Sequence, residues 1–149
     1  MYMTPSMFFI VINIVSAVGW ILILIVSRFW KAADKFLVCV IVALLAATYS
    51  YFNFAHISEA GGIAGFSTFE GVIKIFSNLW LIDAAWAHIV GIDLVIGMLI
   101  KNDATKHGMP YGLVVILLLV TIVFTPLGLL LYLLARGIKT RRYMENITI

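Results

Sequence analysis

One stretch constrains this chain more than any other: Ser77 to Asp103, SNLWLIDAAWAHIVGIDLVIGMLIKND. A bilayer crossing takes about 20 predominantly apolar residues at about 1.5 Å each, and this run is long and apolar enough. Yet Asp83, His88 and Asp93 lie inside it. An ionisable side chain at the centre of a membrane helix costs at least about 2.5–3.5 kcal/mol, so such residues need a polar partner or a function. On a helical wheel of about 100° per residue, with Asp83 at zero, His88 falls near ~140° and Asp93 near ~280°. No single neighbouring helix covers three such directions. The spacing predicts a helix wrapped by protein on most sides, the central member of a small bundle, or one that is locally broken.

Composition decides the class. The 149 residues are 64% hydrophobic and 11% charged, with a mean hydropathy of +1.13. A soluble domain averages about 45–50% apolar and about 25% charged residues. The expectation is an all-α integral membrane protein whose main partner is the lipid bilayer, with residues 1–149 as a single transmembrane domain. The net charge of +3 sits at helix ends and in the tail, where it bears on topology and lipid headgroups rather than on nucleic acid. Cys39 is the only cysteine, so no internal disulfide forms.

Hydropathy predicts four spans, over about residues 7–27, 36–54, 77–99 and 111–135. A cleaved signal peptide is not expected, since no basic segment precedes the first span and Arg28, Lys31 and Lys35 follow it. In that span Asn13, Ser16, Ala17 and Trp20 form a small and polar stripe suited to packing on another helix, with Asn13 as an interhelical hydrogen-bonding group. The second span ends in Tyr49, Tyr51, Phe52 and Phe54, an interfacial aromatic belt. Gly61, Gly62 and Gly65 make a loop around His56 to Phe66. Ser67 and Glu70 have capping-box spacing, so a helix starts there and bends into the third span near Phe76.

Pro126 is expected to kink the last span near its middle. Thr121, Thr125, Gly128 and Tyr132 line one of its faces, either to satisfy backbone groups freed by the proline or to hold a ligand. Arg136, Lys139, Arg141 and Arg142 read as a basic tail. Four crossings put both termini on one side. Arg28, Lys31, Lys35, Lys101 and Lys106 then balance Lys74 and the four tail residues, so positive charge sets no orientation.

The chemical inventory is short. CxxC, HExxH, phosphate-binding glycine loops and a Ser–His–Asp set are all missing from the sequence. Asp103 and His107 have i, i+4 spacing, but Gly108 and Pro110 end any helix there, and a plain Asp–His contact is expected rather than a metal site. No metal and no cofactor are expected. His88 and Asp93, buried in an apolar span, suit proton donation and acceptance on a lipid-soluble molecule. They suit a proton-coupled carrier as well. Ala84, Ala87 and Gly91 form a small face for a neighbouring helix, and Gly97 leaves room one turn from Asp93.

Ala85-Trp86-x-His88-x4-Asp93-Leu94, with Asp103 ten residues on and Pro126-Leu127-Gly128 in the last span, resembles the core motif of the abscisic-acid-deficient-4-like family. Gly65-Phe66 and Ile75-Phe76-Ser77 continue the resemblance, which covers roughly residues 61–137. The first two spans are similar only as apolar helices. Plant members of that family are neoxanthin synthases of the plastid. The resemblance implies a four-helix membrane protein catalysing an isomerisation of a carotenoid or related isoprenoid. An epoxide opens with help from a proton donor, and a proton leaves the adjacent polyene carbon, with no redox cofactor. Trp86, His88, Asp93 and Asp103 carry over; Asp83 and His107 are not part of the motif. No plastid transit segment precedes the first span, which implies a bacterial-type member in an inner membrane.

The resulting expectation is an isomerase-like membrane protein with His88 and Asp93 as its acid–base pair. Trp86, Asp103, Thr125 and Tyr132 would contact the hydrophobic ligand. The alternatives are a small proton-coupled transporter acting as a homo-oligomer, and a non-catalytic assembly subunit whose polar groups only lock helices.

Overall fold

The computed structural model describes residues 4–140; Arg141 and Arg142 of the basic tail lie outside the described residues. The protein is all-α. Three helices are long and apolar enough to cross a membrane. Helix α1, Pro5–Leu24, opens on a proline, whose missing N–H is not needed in a first turn. A 3₁₀ turn over Val26–Arg28 extends it. Helix α2, Ala33–His56, contains a wider π-helical turn at Leu37–Val42. After it Gly61 and Gly62 take φ of 103° and 69°, a left-handed region that side-chain-bearing residues avoid.

Helix α3, Phe69–Phe76, is capped by Thr68, whose hydroxyl accepts the Gly71 N–H at 3.1 Å. The cap therefore falls one residue after the Ser67 that the capping-box spacing indicates. Gly71 lies so close to the preceding loop that a Cβ there would stand 2.8 Å from Gly65 Cα. Helix α3 stops at Ser77, and Asn78 restarts the chain by accepting the Trp80 N–H on its side-chain oxygen at 3.0 Å. The bend expected near Phe76 is thus a full break with a fresh cap. Helix α4, Leu79–Lys106, follows as one unbroken helix of 28 residues. Its most apolar stretch is 39% buried, against 33% in α1 and 22% in α2, so it is the most enclosed of the three.

The last part of the chain differs from the single kinked span expected over residues 111–135. It forms two helices, α5, Tyr111–Val123, and α6, Thr125–Thr140, and they fold back on one another. Phe124 leaves the helical region with φ −136° and ψ 75°. Pro126 brings no N–H and its ring collides with a helical carbonyl four residues back, so α5 cannot run through it. It fits the first turn of a new helix instead. The Thr125 hydroxyl donates to the Thr121 carbonyl at 2.9 Å, and the Thr121 hydroxyl to the Leu117 carbonyl at 2.8 Å. The Thr125 hydroxyl thus serves a carbonyl in the last turn of α5, where the break leaves backbone short of donors, while the Thr121 bond lies within α5. Gly128 makes the reversal tight: a Cβ there would stand 2.7 Å from Thr121 Cα. At the far end Lys139 Nζ donates to the Gly108 carbonyl, just before α5 begins. At about 1.5 Å per residue α5 is only about 20 Å long, short of a bilayer's hydrocarbon core of about 30 Å. The three long helices and this hairpin replace the expected four spans.

The chain divides into two compact units, one of the residues up to Val18 with Val38–Ile92 and one of Gly19–Leu37 with the residues from Asp93 on. The first unit buries Ile12, Leu45, Phe52, Ala84 and Ala87. Leu45 Cβ packs 3.7 Å from where a Cβ on Gly91 would lie, so Gly91 receives a neighbouring helix as the small-residue face predicts. The second unit buries Trp20, Leu37, Leu94, Leu118 and Thr121. Here Gly97 is filled, not vacant: a Cβ on it would meet the Trp20 ring at 2.6 Å.

Candidate functional site

Helix α4 carries the residues that the sequence singles out, and it gives them different surroundings. In the first unit His88 lies on an exposed face, its ring 5.1 Å from that of Tyr49. A small cavity of about 80 Å³ adjoins them, lined also by Val42, Ala46, Ala87 and Gly91. The expectation that protein wraps all three polar directions is met at Asp83, which is 3% exposed, and not at His88. Trp86 Nε1 donates to Asn13 Oδ1 at 3.4 Å, and Asn13 Nδ2 donates to the Phe9 carbonyl at 2.8 Å. Asn13 thus makes the interhelical bond expected of it. It also fixes the Trp86 indole, whose ring lies 5.6 Å from that of Phe9.

The aromatic belt divides. Tyr51 and Phe54 point outward at 68% and 87% exposure, whereas Phe52 is 3% exposed and packs edge-on to Phe8 at 4.9 Å. His56 stacks on Trp80 at 5.6 Å, with its Nδ1 3.3 Å from Glu59 Oε2.

In the second unit Asp93 is half-buried and Thr125 lies near its carboxyl, while the Thr125 hydroxyl donates to the Thr121 carbonyl at 2.9 Å. One turn before the end of α4, Asp103 gathers a denser cluster. Arg136 Nε stands 2.9 Å from Asp103 Oδ2, and the Tyr132 hydroxyl donates to the same oxygen. His107 Nδ1 lies 2.8 Å from the Asp103 carbonyl and 3.5 Å from Oδ1. The Asp–His contact exists, but the carboxylate is engaged by a guanidinium and a phenol. Among the described residues no third imidazole, thiol or carboxylate joins it to make a metal site.

Beyond this cluster the Lys101 ammonium pairs with Asp34, beside a cavity of about 520 Å³ lined by Ile23, Arg28, Asn102, Thr105, Tyr111 and Leu118 among others. The Arg28 guanidinium lies 4.8 Å over the Tyr111 ring, and the Tyr111 hydroxyl donates to the Leu24 carbonyl at 2.8 Å.

So the structure pairs Asp103 with Tyr132 and sets Thr125 near Asp93, while Trp86 and His88 have neighbours of their own. Their five-residue offset separates His88 and Asp93 by about 7.5 Å along the α4 axis and about 140° around it. Asp93 is not among the residues lining the cavity at His88.

The ABA DEFICIENT 4-like family model matches residues 7–132. The chain belongs to the ABA DEFICIENT 4-like family. No curated protein and no solved structure matches it. The family match is wider at its start than the motif resemblance: it takes in α1 and α2 as well as Trp86, His88, Asp93, Asp103, Thr125 and Tyr132. It stops four residues short of Arg136, the partner of Asp103. By sequence alone Arg136 reads as part of a basic tail. The signal that would have found it is helical spacing, because Thr125, Gly128, Tyr132 and Arg136 continue one face by i, i+3, i+7 and i+11. All four are buried. Asp34 and Lys101 carried no comparable signal, being 67 residues apart.

Proposed function

We propose that this protein is a membrane-embedded, isomerase-like enzyme that acts on a carotenoid or related isoprenoid by acid–base chemistry. The observation that carries the reading is an imidazole and a carboxyl, His88 and Asp93, on a helix apolar enough to cross a bilayer, in a chain of the ABA DEFICIENT 4-like family. The motif resemblance supplies the reaction class. A proton is delivered to an epoxide oxygen as its C–O bond breaks, and a proton is removed from the neighbouring polyene carbon, so the product is an isomer and no electrons are exchanged with a cofactor. His88 and Asp93 are the acid–base pair of this reading. The exposure of His88 supports access from the lipid, and the nearness of Thr125 gives Asp93 a polar neighbour. Trp86, held by Asn13, is a wall of the pocket. Asp103 and Tyr132 belong to the contact set only through the end of α4 that they hold in place.

In this reading the single domain crosses the bilayer with α1, α2 and α4, while α5 and α6 enter as a re-entrant hairpin. The membrane is a bacterial inner membrane. Conversion of His88 or Asp93 to Ala, followed by pigment analysis in a carotenoid-producing host, tests the proposal. Loss of the isomerised pigment in each variant, with protein levels maintained, supports it, and unchanged pigments in both variants overturn it. The mutual engagement of Asp103, Tyr132 and Arg136 favours the assembly-subunit alternative as the second reading. Under that reading both variants keep the host's pigment profile.

A further inference from the structure

Asp83 is used by neither the family motif nor the acid–base reading, yet it is the most deeply buried carboxylate on α4. Only 3% of it is exposed, and its Oδ2 has no hydrogen-bond partner among the described residues. A buried polar atom left unmatched costs about 1–3 kcal/mol. Native structures leave few such atoms, and each asks for a missing partner.

The place where a partner would come from is open. Asp83 lines a cleft of about 380 Å³ together with Pro5, Phe9 and Ile10 of α1 and Leu79 and Ile82 of α4. Ile10, Leu79 and Ile82 are 57%, 63% and 36% exposed, so they form the mouth, with the buried Asp83 at the floor. Both contributing segments are the first turns of apolar helices. Apart from Asp83 the only polar side chain of the lining among the described residues is Ser6. One wall is stiff: the Phe9 ring lies against Trp86, and Trp86 is tied to Asn13.

We infer that this cleft binds the hydroxyl-bearing end of a lipid-soluble molecule, with the Asp83 carboxyl as the group that receives the hydroxyl. An apolar mouth selects a ligand that partitions into the bilayer. The volume lies near the lower end of the ~300–1,000 Å³ usual for small-molecule sites, so it takes an end group rather than a whole elongated molecule. A hydroxyl both donates and accepts, and therefore matches the carboxyl whether or not that group carries its proton; an ammonium matches only the ionised form. The inference uses neither His88 nor Asp93, and it stands or falls separately from the isomerase reading.

The test is photolabelling of the full chain in lipid nanodiscs with a diazirine-bearing octanol, with adducts mapped by mass spectrometry. Adducts are expected on Asp83 or on its neighbours in residues 5–10 and 79–82, suppressed by excess octanol and not by octane. Asp83→Leu lowers labelling there about tenfold, the equivalent of one lost hydrogen bond. Asp83→Asn, which still donates and accepts, retains it. Ile10→Trp fills the mouth at an exposed position without touching the carboxyl, and abolishes labelling even where Asp83→Leu fails to fold. Three results overturn the inference. One is equal labelling in wild type and Ile10→Trp. A second is competition by octane as strong as by octanol, which makes the cleft a plain apolar groove. The third is preferential competition by octylamine together with loss of labelling in Asp83→Asn, which makes it a cation site.

Discussion

Arg136 and Asp103 form an ion pair at 2.9 Å between α6 and the last turns of α4, with 2% and 14% of their side chains exposed. The Tyr132 hydroxyl shares the carboxylate. Breaking such a pair from one side strands a charge in a poorly solvated place. Arg136→Met is therefore expected to destabilise the protein by about 3–5 kcal/mol. The double variant Arg136→Met with Asp103→Leu should recover much of that loss, because it removes both charges together. Reversible unfolding in mixed micelles, run as a double-mutant cycle, measures both. Equal stability of wild type and Arg136→Met would falsify the lock.

The reversal between α5 and α6 rests on a position without a side chain. Gly128→Ala drives a methyl group into the Thr121 backbone, and backbone does not step aside as a flexible side chain would. The expected destabilisation is about 1–3 kcal/mol, the range for overpacking. Gly112→Ala is the control on the same hairpin, since nothing lies within 4 Å of a Cβ built there. It is expected to be neutral or slightly stabilising, helix propensity favouring Ala over Gly. Thermal melts of the two variants against wild type decide the matter.

The bond from Trp86 to Asn13 is long at 3.4 Å, and its removal should cost little. Asn13→Leu is expected to lower stability by no more than about 1 kcal/mol, while freeing the indole. The readout is the Trp emission spectrum together with pigment conversion. If Trp86 is a pocket wall, conversion falls more than stability does.

Under the proposed chemistry His88→Ala and Asp93→Ala should each slow conversion by about 10²–10⁴-fold, the usual contribution of a positioned acid or base. Thr125→Val has a milder expected effect, about tenfold. It removes a hydroxyl near Asp93 and leaves the carboxyl itself in place, a loss close to one hydrogen bond. An undiminished rate in Thr125→Val alongside a dead Asp93→Ala would show that Thr125 serves only the Thr121 carbonyl.

What the sequence disclosed, and what it hid, follows from the range of each signal. Apolar runs bounded by charges located α1, α2 and α4, because burial in lipid acts on every residue of a span. Asn13 was legible because a lone amide in an apolar helix needs a partner. Pro126 announced a disruption, but not its extent. Whether a proline bends a helix or ends it depends on what receives the chain beyond, and here that is the close approach of Gly128 to Thr121. The exposure of His88 was equally hidden, since wheel angles give directions and not the number of helices available to cover them. Lys101 and Asp34 meet across 67 residues of chain, a pairing that no local pattern encodes.

Under the membrane reading proposed above, the return of α6 also bears on which way the protein faces. A straight last span would carry Arg136 and Lys139 across the bilayer, away from Lys101 and Lys106, and the balance of positive charge would tie. The hairpin brings Lys139 back to Gly108 and Arg136 back to Asp103, while Lys101 meets Asp34 in the first turn of α2. Arg28, Lys31, Lys35, Lys101, Lys106, Arg136 and Lys139 all belong to the second unit, and among the described residues Lys74 is the only Lys or Arg of the first. Positive loops are retained in the cytoplasm, so a reporter fused after the last residue should fluoresce as cytoplasmic green protein and stay inactive as alkaline phosphatase. In that reading one glycine-backed turn gives the positive charge of the second unit a single direction.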